Sequence, residues 1–351
     1  MTPSMPTTLT RLAFSGTPRD FGVALGRFGA AAVHGYLTAT RGWAEITAFR
    51  DDDRVLRMER LVAERLPRHR AEIAGLAEGL GLPETDVFAW HCRGDLRAAA
   101  AVPDVPEGCT TLLVPGDEPL IAHNEDGDPA FRGACALVEA RIDGGPALTA
   151  FAYPGSLPGN AFGWNAHGLV ATVNNVRPIG MGVRAGEAGL PRMILGRALL
   201  DSPDLDAAAR LVMDNPRAGG FHFAVAQAGD RRLISIEFTG AAVSVVALDR
   251  PSAHANHLVH TAMRDTPQIV TASSAARQQR ADTILTRDPT IAPQVFLGDT
   301  AGDLPIHRAA PDDPDEENTL ATLVVRARRD GLSGEVRDAD GAVTAVLDGH
   351  G

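Results

Sequence analysis

Cys109 stands in Gly108-Cys109-Thr110-Thr111, about a third of the way along a chain of 351 residues. Cleavage before Cys109 would leave a thiol and a free α-amine on one residue, a nucleophile with its own base. An α-amine titrates at about 7.7–8.0, close enough to working pH to take the thiol proton without a histidine. Met1 is far from Cys109, so only cleavage can create that amine. Gly108 suits the cut, because a residue without Cβ reaches the strained backbone that offers its carbonyl to the thiol. The same four residues also read as a small buried hydrophobe opening a strand.

Other residues compete for a chemical role. His123 could serve Cys109 as base in an uncleaved thiol enzyme. His254, His257 and His260 are spaced by three, which on a helix would put them on one face. Their segment reads as strand or loop, and no carboxylate follows at metalloprotease spacing, so neither metal nor cofactor is expected. Cys92, Cys109 and Cys135 fit no disulfide framework and no zinc pattern. Arg93-Gly94-Asp95 reads as a structural ion pair at a helix end.

The elements that must position Cys109 change character at that residue. Before it the periodicity is helical. One long helix is expected from Thr17-Pro18 to about Ile46, with Thr17 as cap and Pro18 in the first turn. Others are expected over Asp52–Leu66, around Glu72–Leu82, and around Trp90–Leu96. Gly75, Gly79 and Gly81 are costly in a helix, which points to close helix packing and a glycine C-cap at Gly79 or Gly81. No strand is expected in the first 108 residues, and Ala98–Glu107 reads as an exposed loop leading to the cut. From Cys109 onward short β-like runs alternate with turns: Thr110–Val114, Leu120–His123, Cys135–Ile142, Ala147–Tyr153 and the run after Asn165–Gly168. Helices follow at Pro191–Leu200 and Leu205–Met213, then a hairpin over Gly229-Asp230. A helix over Ser273–Leu285, an acidic Pro-rich loop and strands over Thr319–Arg328 and Gly334–Leu347 close the chain. Helices, strands, helices, strands in that order make an α+β protein.

Composition excludes some partners. The net charge of −11 argues against nucleic acid and against an anionic membrane. No apolar run reaches the roughly 18 residues needed to span a bilayer, and Met1–Gly16 lacks a signal-peptide core. A cytoplasmic location is expected, with a homo-oligomer left open.

Five stretches, in order, resemble one family: Glu72-Ile73-Ala74-Gly75-Leu76-Ala77-Glu78-Gly79, Arg93 with Asp95, Gly108-Cys109-Thr110-Thr111 with Asn124-Glu125-Asp126, Gly163 to Asn174, and Ala255-Asn256-His257. It is the acyl-coenzyme A:6-aminopenicillanate acyltransferase (isopenicillin N acyltransferase) family of autoproteolytic cysteine peptidases, similar in turn to bile-salt hydrolases and other N-terminal nucleophile (Ntn) hydrolases. The resemblance implies a four-layer αββα sandwich. It implies a precursor cut between Gly108 and Cys109 into a helical α-chain (1–108) and a nucleophile-bearing β-chain (109–351). It places the nucleophile at Cys109, the family aspartate at Asp126, the oxyanion asparagine at Asn256, and a second polar position at Asn174, or Asn175 if the alignment slips by one. Glu125 departs from the aromatic or apolar residue usual there. A functional arginine lies late in the chain, with Arg277, Arg280 and Arg326 as candidates.

The expected activity is that of an amidohydrolase or acyltransferase. Cys109 would cleave the carbon–nitrogen bond of a small acylated amide, or an acyl-CoA-like thioester, and pass the acyl group to water or an amine. The rivals are an uncleaved thiol hydrolase using His123 and a non-catalytic small-molecule-binding protein on the same fold.

Overall fold

The computed structural model describes residues 8–100, 108–180, 188–309 and 317–349. The chain begins with a strand, β1 (Thr10–Gly16), followed by α1 (Pro18–Gly35), α2 (Arg41–Thr47), α3 (Asp53–Arg65), α4 (Pro67–Leu80), α5 (Glu84–His91) and α6 (Arg93–Ala100). After Gly108 come β2 (Cys109–Val114), β3 (Leu120–Gly127), β4 (Ala136–Ile142), β5 (Ala147–Ala152), β6 (Phe162–Asn165) and β7 (Leu169–Asn175). Two helices, α7 (Arg192–Leu199) and α8 (Leu205–Met213), precede β8 (Phe221–Gln227), β9 (Leu233–Phe238), β10 (Val243–Ala247) and β11 (Ser252–His254). The chain closes with α9 (Ala272–Arg287), α10 (Pro293–Leu297), β12 (Asn318–Ala327), β13 (Leu332–Asp338) and β14 (Val343–Asp348).

The strands form two sheets, ordered β1-β4-β5-β6-β7-β8-β9-β10 and β11-β2-β3-β12-β13-β14. Side chains alternate between the faces of a strand, and the core follows that alternation. Leu113, Ile121, Leu323 and Val325 of the second sheet meet Leu137, Phe151, Val170 and Ala224 of the first, so the sheets pack face to face. The other face of the first sheet, with Val138, Val173 and Phe223, packs on Phe21, Leu76, Phe88 and Ile194 of the helices. The other face of the second, with Leu112, Ala122 and Val324, packs on Ala281, Leu285 and Phe296. The result is the expected αββα sandwich. No helix among the described residues is long and apolar enough to cross a membrane.

The first hundred residues depart from expectation in three ways. They contain a strand: β1 pairs in parallel with β4 at the sheet edge, Thr10 opposite Ala136 and Gly16 opposite Ile142. Its alternation was legible only as a short polar start, because a lone edge strand has no partner nearby in sequence. The expected long helix also breaks after Gly35, and α2 restarts with Thr40 capping the Trp43 N–H. Part of the expected loop over Ala98–Glu107 is helix α6, and residues 101–107 lie outside the described ones, as do 310–316 of the acidic Pro-rich loop. Strand β3 runs on through Asn124-Glu125-Asp126, and the last expected strand divides into β13 and β14.

The glycines of α4 are explained by packing. A Cβ on Gly75 would lie 1.9 Å from the Arg19 carbonyl oxygen, and one on Gly22 1.9 Å from that of Glu72. Helices α1 and α4 therefore cross backbone to backbone. Gly81 caps α4 with a left-handed φ of 67°. Glu72 receives a two-pronged bond from the buried Arg197 of α7, at 2.8 and 2.9 Å, and Arg197 also donates to Asp201 at 2.8 Å.

Gly75→Ala should overpack this crossing and cost about 1–3 kcal/mol or more, read as a lower urea midpoint. His91 supplies a pH prediction. Its Nδ1 donates to Val87 C=O at 2.8 Å, its Nε2 accepts Leu157 N–H at 3.0 Å, and burial lowers it to about 4. Below about pH 6.5 the unfolded chain gains a proton that the folded chain refuses, so stability is lost as pH falls from about 6.5 to 4. The slope reaches about 1.4 kcal/mol per pH unit for this histidine. His91→Gln should flatten the dependence in urea titrations at pH 7 and pH 5.

Candidate active site

Strands β2 and β3 set the site by register. Cys109 lies opposite Glu125, and Thr111 opposite His123. Period-two alternation puts these four side chains on the face turned toward the other sheet, while Thr110 and Asn124 turn toward α9 and α10. The Cys109 Sγ lies 3.4 Å from Glu125 Oε2, and that oxygen lies 3.1 Å from His123 Nε2. Tyr153 O–H donates to Glu125 Oε1 at 2.6 Å.

The backbone of Cys109 is held on both sides. Its N–H donates to Asn256 Oδ1 at 2.9 Å, and its C=O accepts Arg277 Nη1 at 2.6 Å. Arg277, 1% exposed, also donates to Thr110 Oγ1 at 2.9 Å, Asn256 Oδ1 at 2.7 Å and Ser273 Oγ at 3.0 Å. The Gly108 carbonyl accepts the Asp126 N–H at 3.0 Å. Asp126 Oδ1 accepts Thr319 O–H at 2.7 Å, while its buried Oδ2 has no hydrogen-bond partner among the described residues. Helix α9 fixes the Asn256 segment: Ser274 Oγ accepts the Asn256 N–H and Gln278 Oε1 the Ala255 N–H, both at 2.9 Å. Asn256 Nδ2 donates to Asn175 C=O at 3.1 Å.

The electrostatics are those of a dry site. Burial pushes the Cys109 thiol well up, the Glu125 and Asp126 charges add to this, and Arg277 opposes it. Burial also raises Asp126, against Arg277 and the Thr319 hydrogen bond. Glu317 rises to about 8 by burial, against Arg277 and Arg308. His123 falls to about 3 by burial.

Of the residues singled out in the sequence, Cys109, Asp126, Asn256 and Arg277 come together around Gly108. Arg280 does not, being paired with Asp299 at 3.0 Å, nor does Arg326, which donates to Glu118 C=O at 3.2 Å. Asn174 and Asn175 are neighbours on β7 and face opposite ways. Asn174 Oδ1 turns between the sheets to accept from Thr111 at 2.7 Å and His222 at 3.0 Å, whereas Asn175 lines the cavity beside Cys109. The three histidines do not converge on one point: His254 and His260 both approach Glu237, at 2.9 and 4.0 Å, while His257 bonds Ser274.

The sequence reading passed over three groups. Arg308, fully buried, donates to Ser273 at 2.8 Å and pairs with Glu317 beside Gly108. A Cβ on Gly108 would lie 2.4 Å from Glu317 Oε2, so a larger residue there would have to displace the Glu317 carboxylate from its pairing with Arg308. The sequence presents His123 only as a rival base and Glu125 only as a departure from the family residue; that the two share a face with Cys109 depends on the β2–β3 register. A cavity of about 290 Å³ reaches Cys109, Glu125, Asp126 and Asn175, with Trp90, Phe131, Tyr153 and Phe221 in its walls.

Arg277→Lys keeps a charge but loses the planar fork. It should lower the thermal midpoint and loosen Cys109, which faster alkylation of Cys109 would report.

Comparison with known proteins gives three findings. The family model described as acyl-coenzyme A:6-aminopenicillanic acid acyl-transferase matches residues 114–333, a span that takes in Asp126, Asn256 and Arg277 and starts after Cys109. The beta-alanyl-dopamine/carcinine hydrolase of Drosophila melanogaster is 27% identical over 168 residues, 44% of this chain and 42% of the relative. The match thus spans about two fifths of that relative's length. Among solved structures, a variant of the conjugated bile acid hydrolase from Clostridium perfringens is similar at TM-score 0.45 and 11% identity, covering 68% of this chain and 92% of that one. A penicillin V acylase from Agrobacterium tumefaciens is similar at TM-score 0.33 and 12% identity, over 65% and 82%.

Proposed function

The chain belongs to the acyl-coenzyme A:6-aminopenicillanic acid acyl-transferase family, and from that membership we propose that it is a self-processing cysteine amidohydrolase whose nucleophile is Cys109. The observation that carries the reading is the paired grip on the Gly108–Cys109 bond. The Gly108 carbonyl rests on the Asp126 N–H at 3.0 Å, and the Cys109 nitrogen on Asn256 Oδ1 at 2.9 Å.

Self-cleavage starts with attack of Cys109 Sγ on the Gly108 carbonyl carbon. The Asp126 N–H supports the oxyanion. The C–N bond breaks, the thiol proton passes to the leaving nitrogen, and Gly108 is left as a thioester on Cys109. Water hydrolyses that thioester and frees both thiol and α-amine. The new ammonium already has Asn256 Oδ1 as acceptor, and Asp126 offers a buried carboxylate oxygen, Oδ2, without a hydrogen-bond partner among the described residues.

Turnover uses the same atoms. The α-amine takes the thiol proton, and the thiolate attacks the substrate's amide carbonyl. Asn256 Nδ2 spends one N–H on Asn175 C=O and has a second for the oxyanion; a donor of this kind contributes about 2.7–4 kcal/mol in comparable sites. The α-ammonium then protonates the leaving amine, the acyl-thioester forms, and water or an acceptor amine discharges it. Discharge to water is the simpler outcome, because transfer requires in addition a bound acceptor amine. The aromatic walls of the cavity suit a small acylated amide. Amides of the kind named for the fly relative, a β-alanyl amine and carcinine, belong in the first substrate panel.

A denaturing mass spectrum tests the first half. Purified protein should give two masses that together equal the 36.9 kDa chain plus one water, the larger beginning at Cys109. Cys109→Ala should give one intact, folded chain. A wild-type protein that stays in one piece through purification and incubation sinks self-processing. For the second half, Asn256→Ala should lose about 10²–10³ in kcat with folding retained; near-normal turnover would remove Asn256 from the oxyanion role.

A further inference from the structure

We infer that Cys109, His123 and Glu125 form a binding site for a zinc-class divalent ion, and that an ion held there blocks the nucleophile. Sγ, Nε2 and Oε2 of these residues all lie within 4.8 Å of one another. Ligands at about 2.3 Å for thiolate and 2.0–2.2 Å for imidazole and carboxylate, set at tetrahedral angles, stand roughly 3.3–3.6 Å apart. The observed Sγ–Oε2 and Nε2–Oε2 separations, 3.4 and 3.1 Å, are near those edges.

Hydrogen bonding behind the site fixes where the lone pairs point. Asn174 Nδ2 is spent on His254 C=O at 3.1 Å, so its Oδ1 accepts from both Thr111 and His222. Thr111 has one proton and gives it to Asn174. At 2.8 Å from His123 Nδ1, its oxygen must therefore accept the Nδ1–H. The Nε2 lone pair of neutral His123 then faces a carboxylate oxygen at 3.1 Å. Two acceptors at that distance need a positive centre between them. A proton between Nε2 and Oε2 fills the role in the metal-free protein, and a metal ion does so with Cys109 as third ligand.

The surroundings match. Metal-bound histidines commonly donate their second ring nitrogen to an outer partner, and bound carboxylates are themselves hydrogen-bonded. Thr111 and Tyr153 supply those contacts. A dication with one thiolate, one carboxylate and a neutral imidazole is net neutral, which a buried site requires. The cavity that has Cys109 and Glu125 in its wall provides entry. In the cleaved chain the α-amine of Cys109 would add a fourth ligand in a five-membered chelate ring. That added affinity rests on the self-processing reading; the three-ligand site does not.

The test is alkylation of Cys109 by iodoacetamide in chelator-treated protein, located by peptide mass mapping, with Zn²⁺ and Mg²⁺ as probes and Cys92 and Cys135 as internal references. One equivalent of Zn²⁺ should slow Cys109 at least tenfold and Mg²⁺ should not. Co²⁺ should give a thiolate charge-transfer band that Cys109→Ala abolishes. By equilibrium dialysis, His123→Ala and Glu125→Gln should each weaken Zn²⁺ at least tenfold. An unchanged Cys109 rate in saturating Zn²⁺ overturns the proposal, and wild-type affinity in both variants does the same. None of these readouts needs turnover. Zinc protection in a chain that is never cut would uphold the site and sink self-processing, while a cut, active protein without protection would do the reverse.

Discussion

The Arg277 guanidinium is the interaction on which the site depends. One buried cation holds the Cys109 carbonyl, the Thr110 hydroxyl, the Asn256 carboxamide and Ser273. These acceptors come from β2, from the segment after β11 and from α9. Three elements distant in sequence are thereby fixed to within hydrogen-bond tolerance. A planar fork with five donors suits the task, since each acceptor approaches in a set direction. The same charge offsets Asp126 and Glu317, whose carboxyls burial pushes toward the neutral form. Without it, Asp126, Glu317 and the Cys109 thiol would share a buried space with one fewer cation to offset them.

The space between the two sheets is uneven. Over most of its area it is aliphatic and aromatic, with Ile121, Phe151, Val170 and Leu323 in contact. At one end it turns polar, where Thr111, His123, Asn174, His222 and Ser235 bond one another in series. Burying so many polar groups costs stability unless each finds a partner. Nearly all do, and the series holds each ring in one tautomer. Departures from an apolar core of this kind concentrate at working sites.

Part of this arrangement was anticipated. Cys109 was singled out from its own sequence context and Asp126 and Asn256 from the family resemblance, and the structure brings the three together around Gly108; the glycine spacing of α4 implied the close helix packing that is found. Three features were not legible, each because it depends on pairing at long range. The strand β1 gains its identity from β4, more than a hundred residues away. The cluster of Cys109, His123 and Glu125 exists only in one β2–β3 register, and a slip by one residue would turn Glu125 to the helical side. The choice between Asn174 and Asn175 is likewise a question of which face of β7 meets the cavity. Among the late arginines, helical spacing alone left Arg277 and Arg280 equivalent; the direction in which α9 packs separates them.

The parallel pairing of β1 with β4, the Glu72–Arg197 bond and the packing of Phe21, Leu76 and Phe88 on the first sheet give the region before Gly108 an extensive non-covalent hold on the rest. Before any cut, that hold is intramolecular and unfolding is independent of protein concentration. If the backbone is severed at residue 108 as proposed, the same contacts join two polypeptides, and dissociation becomes a reaction whose midpoint rises with concentration. Reassembly would then require two chains to meet, one of them presenting an unpaired sheet edge at β4. The fold would be reached easily once, from the single chain, and with difficulty thereafter. Its working lifetime would be governed by the barrier to separation more than by an equilibrium between folded and unfolded states.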